Sequence, residues 1–98
     1  MLTRIVKMTF DPTKVEEFLD IFNSSKKEIR NMKGCTHLAL MQDFNHPNSF
    51  STVSHWVDEE ALDNYRNSEV FKEVWPKTKL LFIAKPIAFS LKEHTKVD

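Results

Sequence analysis

Residues 36–57 read THLALMQDFNHPNSFSTVSHWV, two runs of β-forming residues on either side of a segment built for chain reversal. Thr36 to Phe44 and Phe50 to Val57 hold the β-branched and aromatic residues that suit a pleated surface, and Asn45-His46-Pro47-Asn48 between them is a dense cluster of turn formers. The stretch predicts an antiparallel hairpin. His37 and His55 fall on opposite arms of it. Because side chains alternate between the two faces of a strand, a slip of one residue moves either histidine to the other face, so the sequence leaves their proximity and their facing open.

Towards the N-terminus, Lys33-Gly34 supplies a basic last turn and the chain's single glycine, the residue best able to adopt a left-handed conformation beyond a helix end. The helix it closes is marked by Val15, Phe18, Leu19, Phe22, Ile29 and Met32 at helical spacing. Thr13 and Glu16 form a T-x-x-E pair, which predicts a capping box at its start after the break at Asp11-Pro12. From Leu2 to Phe10, Val6, Met8 and Phe10 share one face while Lys7 and Thr9 take the other, the pattern of a first strand.

Towards the C-terminus, Asp58-Glu59-Glu60 places a cap and negative charge where a second helix begins, and Ser68 caps its continuation. Phe71, Val74, Trp75, Thr78 and Phe82 keep helical spacing past Pro76, where the missing N–H predicts a break. Ile87, Phe89 and Leu91 then alternate with Ala88, Ser90 and Lys92 as a closing strand, and the tail from Glu93 is expected to fray. The order strand, helix, strand, strand, helix, strand is the α+β ferredoxin-like βαββαβ arrangement, one domain over residues 1–98, with helices on one face of an antiparallel sheet. The other face keeps large apolar groups, and an uncovered apolar patch above roughly 400 Å² is unusual on a monomer, so a two-fold homodimer closing sheet on sheet is expected.

Composition narrows the function classes. Fourteen basic and fourteen acidic residues cancel, leaving no field to concentrate nucleic acid or anionic lipid. Cys35 is the only cysteine, so neither an intrachain disulfide nor a thiolate metal cluster can form. No run approaches membrane-spanning length and no signal-peptide pattern opens the chain, so a cytoplasmic protein with no nucleic-acid or membrane partner is expected. Phosphate loops, nucleotide fingerprints, G-x-S-x-G elbows and closely spaced histidine pairs are all missing from the sequence.

Gly34-Cys35, Leu40, Pro47-Asn48, Phe50, Trp56, Ala61-Leu62, Ser68 and Phe71 follow one another at intervals that fit, without a gap, those of the antibiotic biosynthesis monooxygenase family, which the chain resembles over almost its whole length. The resemblance implies a dimeric α/β barrel whose pocket, between sheet and helices, binds a small hydrophobic molecule. In characterised members that molecule is often an aromatic polyketide or quinol, oxidised by O2 with no metal or flavin cofactor. The sequence differs from many members in carrying Tyr65 and Val70 where they have histidines on the second helix. It differs from the haem-degrading branch in placing Ile5, Tyr65 and Trp75 at that branch's asparagine, tryptophan and iron-ligating histidine positions.

The expected function is therefore a cofactor-independent monooxygenase acting with O2 on a small hydrophobic aromatic, a phenol, quinol or polyketide-like molecule. A non-catalytic ligand-binding dimer is the alternative, and a haem-binding relative the more distant one. His55 and His37 are the candidate catalytic bases, each able to take a phenolic proton near neutral pH if it faces the pocket and otherwise a surface histidine. Trp56, Tyr65 and Phe71 are the candidate substrate contacts. Trp56 and Tyr65 each offer a flat apolar surface with one polar handle, and Tyr65 is also a catalytic candidate.

Overall fold

The computed structural model describes residues 1–98. Four strands, β1 (Leu2–Thr9), β2 (Cys35–Gln42), β3 (Ser49–Trp56) and β4 (Ile87–Leu91), form one antiparallel sheet in the order β2-β3-β1-β4. Helices α1 (Val15–Arg30), α2 (Glu59–Arg66) and α3 (Glu69–Lys79) cover one face. The fold is the ferredoxin-like α+β arrangement that the sequence predicts.

Several boundaries move, each for a local reason. Asp11, not Thr13, opens the first helical segment: its carboxylate accepts hydrogen bonds from the backbone N–H and hydroxyl of Thr13, holding Pro12–Lys14 in a 3-10 turn before α1. Thr13 is thereby occupied, and the expected capping box does not form. The helix ends at Arg30, short of Met32, and Gly34 with φ of +85° turns the chain into β2. The first hairpin arm stops at Gln42 because the Asp43 carboxylate accepts from the backbone N–H groups of Asn45 and His46, which bends the chain and leaves Phe44 wholly in solvent.

The second helical region does break, but not at Pro76. Asn67 ends α2, and the Ser68 hydroxyl accepts from the Phe71 N–H to start α3. Pro76 sits on the solvent side of α3, where the lost backbone bond lies away from the core. No helix is long and apolar enough to cross a membrane.

The strand register decides which side chains meet. Cross-strand partners Leu2–Trp56, Arg4–Ser54, Val6–Thr52 and Met8–Phe50 share the helix-covered face, joined by Leu38, Leu40 and Ala88. Two apolar clusters occupy it. Met8, Phe10, Phe18, Phe50 and Leu81 pack at one end, with Phe10 and Phe18 stacked at 4.1 Å. Cys35, Trp56, Ala61 and Leu62 pack at the other. The opposite face of the sheet is open. Across its middle run Ala39, Val53, Ile5 and Phe89, partnered strand to strand, with Met41, Ile87 and Leu91 exposed around them.

Candidate functional site

Between the two clusters lies a cavity of about 130 Å³ lined by 20 residues, 14 of them hydrophobic. Its origin is a mismatch of sizes. Ser25 and Thr78 stand at helix positions facing the sheet, and Thr52, Ser54 and Ala88 stand opposite them, where the neighbouring positions hold Phe18, Phe22, Met8 and Trp56. Small side chains meeting across two layers leave space that the large neighbours do not close.

Most of the hydroxyls in that gap are internally satisfied. Ser25 donates to the Ile21 carbonyl at 3.0 Å, Thr78 to the Val74 carbonyl at 2.9 Å, and Ser54 accepts from the Trp56 indole N–H at 2.9 Å. These groups shape the cavity and offer a ligand little.

One wall is a continuous run of rings. Trp56 stacks on Tyr65 at 5.1 Å, Tyr65 meets Phe71 edge-on at 5.3 Å, Phe71 stacks on Trp75 at 5.8 Å, and Trp75 meets Phe82 edge-on at 5.7 Å. Trp56, Tyr65, Phe71 and Trp75 all line the cavity. The three expected substrate contacts are thus brought together. Trp56 differs from expectation in one respect: it is fully buried and its N–H is committed to Ser54, so it offers a flat surface and no free donor.

Tyr65 keeps its polar handle. Burial, and secondarily the nearby Cys35 thiol, push its phenol up to about 12. A phenol held that high stays protonated at physiological pH, so what Tyr65 can offer a ligand is an O–H donor and not a base. The Cys35 thiol is also pushed up by burial, its Sγ lies 3.5 Å from the His37 carbonyl, and it is a packing group of its cluster.

The histidine expectations need correction. His37 and His55 are cross-strand partners with ring centroids 4.5 Å apart, but they lie on the open face of the sheet and neither lines the cavity. The cause is a bulge at Thr36, between Cys35 and His37, which sets the register of β2 so that Leu38 and Leu40 turn inward and His37 turns out. His46 is held by Asp43 in the hairpin turn, and His94 contacts Thr95 in the tail.

Sequence reasoning missed two lining residues. Trp75, read in the sequence only as part of the helical spacing of the second helix, forms part of the ring wall. Arg4 went unmarked, although it is a cation in the inward phase of β1, between Leu2 and Val6; that break in the pattern was the available signal. Arg66 of α2 lines the cavity as well and is held by an ion pair with Asp63. Arg4 donates to the Ser90 hydroxyl at 3.2 Å, and its pKa is lowered first by desolvation and then by the charge of Arg66.

Known proteins place this geometry. A structure of a conserved protein from Methanosarcina mazei Go1 is 26% identical, with a TM-score of 0.89 over 95% of this chain and 93% of that one. A structure described as an antibiotic biosynthesis monooxygenase superposes with a TM-score of 0.92 at 20% identity, over 97% of this chain and 100% of that one. A Pseudomonas aeruginosa structure gives 0.85 at 23% identity, over 96% and 94%. No curated protein matches the chain. The family model for antibiotic biosynthesis monooxygenase matches residues 1–76, which hold β1 to β3, α2 and most of α3, and the chain belongs to that family.

Proposed function

We propose that this protein is a homodimeric monooxygenase that uses O2 to oxidise a small electron-rich aromatic, a phenol or quinol, with electrons drawn from the substrate itself. The observation that carries this is the ring-walled cavity with Tyr65, protonated at neutral pH, in its lining, in a chain of this family. Its volume of about 130 Å³ sets the scale of the ligand. An apolar cavity of ~150 Å³ accepts one benzene ring, so a single ring fits the space between the layers.

A quinol balances without a further reductant. A ring C–H becomes C–O, the quinol becomes a hydroxyquinone, one oxygen atom enters the product and the other leaves as water. The chain's contribution is to hold the ring flat against Trp56, Tyr65, Phe71 and Trp75, to exclude water, and to donate the Tyr65 proton to oxygen where negative charge develops.

The open sheet face supports the dimer. Ile5 at its centre, with Phe89, Ile87, Leu91 and Met41 around it, is the surface that a second copy would cover. Replacing Ile5 by Asp should convert dimer to monomer in light scattering at micromolar concentration; a wild-type protein that is monomeric there would overturn the assembly.

A second reading, a ligand-binding dimer without catalysis, is favoured by one observation: the ionisable side chains lining the cavity are Arg4, Arg66 and Tyr65, none of them a base at neutral pH. Oxygen uptake separates the two. Metal-free protein with a panel of single-ring quinols should consume O2 above a boiled control, and Tyr65→Phe should slow it about a hundredfold or more, the lower range for losing a positioned proton donor. Ligand binding with no uptake across the panel would favour the binding protein.

A further inference from the structure

Apart from hydroxyls and indole N–H groups, the polar groups of the cavity lining are two guanidinium groups, Arg4 and Arg66. Arg4 and Arg66 are brought to the same lining from β1 and α2, close enough for Arg66 to act on Arg4 electrostatically. No Asp or Glu lines the cavity. The ion pairs of the fold are Lys14–Glu17, His46–Asp43, Arg66–Asp63 and Lys77–Glu73, and Arg4 belongs to none of them. Its side-chain hydrogen bond goes to the neutral Ser90 hydroxyl.

Arg4 is a partly buried guanidinium beside a second one, and its own side-chain bond goes to a neutral hydroxyl, so it is less well compensated than Arg66, which Asp63 pairs. That deficit is made up when an anion enters between them. Arg66 is held on one side by Asp63, which leaves other N–H groups of its planar fork free, and Arg4 spends one of its donors on Ser90. Two such forks match the two oxygens of a carboxylate better than they match a single hydroxyl.

We propose that Arg4 and Arg66 form a carboxylate-binding site within the cavity, so that the ligand is a single-ring aromatic acid whose ring lies on the Trp56–Tyr65 wall and whose carboxylate lies between the two guanidinium groups. This rests on the cavity being the ligand site, as proposed above, and adds the charge of the ligand to it. It also accounts for a cation in the inward phase of β1, where packing alone calls for an apolar residue.

The test compares two isosteres that differ in charge, 2,5-dihydroxybenzoate and 2,5-dihydroxybenzamide, by calorimetric titration of the full-length protein at pH 7. The acid should bind at least about tenfold more tightly than the amide, the scale of one charge-assisted pair. Arg4→Met and Arg66→Gln should each bring that ratio below about threefold, because the acid loses more affinity than the amide. Wild-type affinities equal within about twofold would overturn the proposal without recourse to any variant. So would a full ratio retained in both variants. If neither compound binds at millimolar concentration, the carboxylate site and the aromatic cavity reading fall together. If the acid binds selectively and no O2 is consumed, the carboxylate site stands and the oxygenase reading falls.

Discussion

Replacing Gly34 by Ala should destabilise the fold through two separate effects that meet at one atom. Gly34 has φ of +85°, a conformation that costs an L-residue about 1–2 kcal/mol. A Cβ placed there would sit 2.5 Å from the Ala61 Cβ and 3.0 Å from Val57 Cγ2, whereas carbon atoms in contact are normally about 3.5–4.0 Å apart. To relieve the contact α2 must shift outward by about an ångström, an overpacking cost of roughly 1–3 kcal/mol. The stiffer unfolded chain returns about 0.4–1 kcal/mol, so the net loss is about 2–4 kcal/mol. For a domain of this size that lowers the melting temperature by roughly 10–25 °C. Urea denaturation followed by circular dichroism, at one protein concentration because association would contribute, measures it. The steric part is isolated by Ala61→Gly, which removes the clashing atom: the double variant should be about 1–2 kcal/mol more stable than the two single losses added together. A Gly34→Ala loss below about 1 kcal/mol, or additivity within about 0.5 kcal/mol, would refute the reasoning. The site feels the same shift, because α2 carries Leu62, Tyr65 and Arg66 into the cavity lining.

Three other outcomes follow from the structure. Tyr65 is the only tyrosine, so an ultraviolet titration reads it alone: in the folded protein tyrosinate should form near pH 12, and a transition near pH 10 would show that the ring is solvated. Between pH 10 and 12 the folded state holds a proton that the unfolded state releases, so stability should fall as pH rises through that window, by up to about 3 kcal/mol. Cys35, buried with its thiol pushed up, should react with a disulfide reagent at pH 8 about a hundredfold or more slowly in the native protein than in urea; equal rates would show it exposed. Arg4→Met keeps the apolar stem and removes a poorly compensated charge, so the melting temperature should hold or rise by about 5 °C; a clear drop would mean that Arg4 is a structural residue.

The architecture was legible because its signals are local and agree with one another. The 45–48 turn cluster, the α1 stripe from Val15 to Ile29, the Asp58 and Ser68 caps and the lone Gly34 each act within a few residues of chain, and the caps form the bonds their side chains suit. The misplaced boundaries arose where two local options competed. Asp11 outbid Thr13 as a cap, and Pro76 was tolerated because its face of α3 is open to solvent. Neither contest can be decided without knowing which side of the segment the core occupies.

The site was less legible, because it depends on register. One bulged residue, Thr36, decides that His37 of β2 faces outward beside His55, which its regular pairing with Thr3 already places there, and no composition or periodicity fixes where a bulge falls. The residues that make the cavity are those that break the apolar pattern without interrupting the elements carrying them: Ser25 in the α1 stripe, Ser54 and Thr52 on β3, and Arg4 on β1. Taken singly, each is an ordinary exception. Register turns them into a group by placing Arg4 opposite Ser54 and Val6 opposite Thr52, beneath Ser25 of the helix layer. Had Arg4 been one position earlier or later it would lie on the open face with Ile5, and the cavity would have no such cation from β1. A sequence search for such sites should therefore score polar residues in the inward phase of paired strands jointly, since the charge and the gap acquire their chemistry only as cross-strand neighbours.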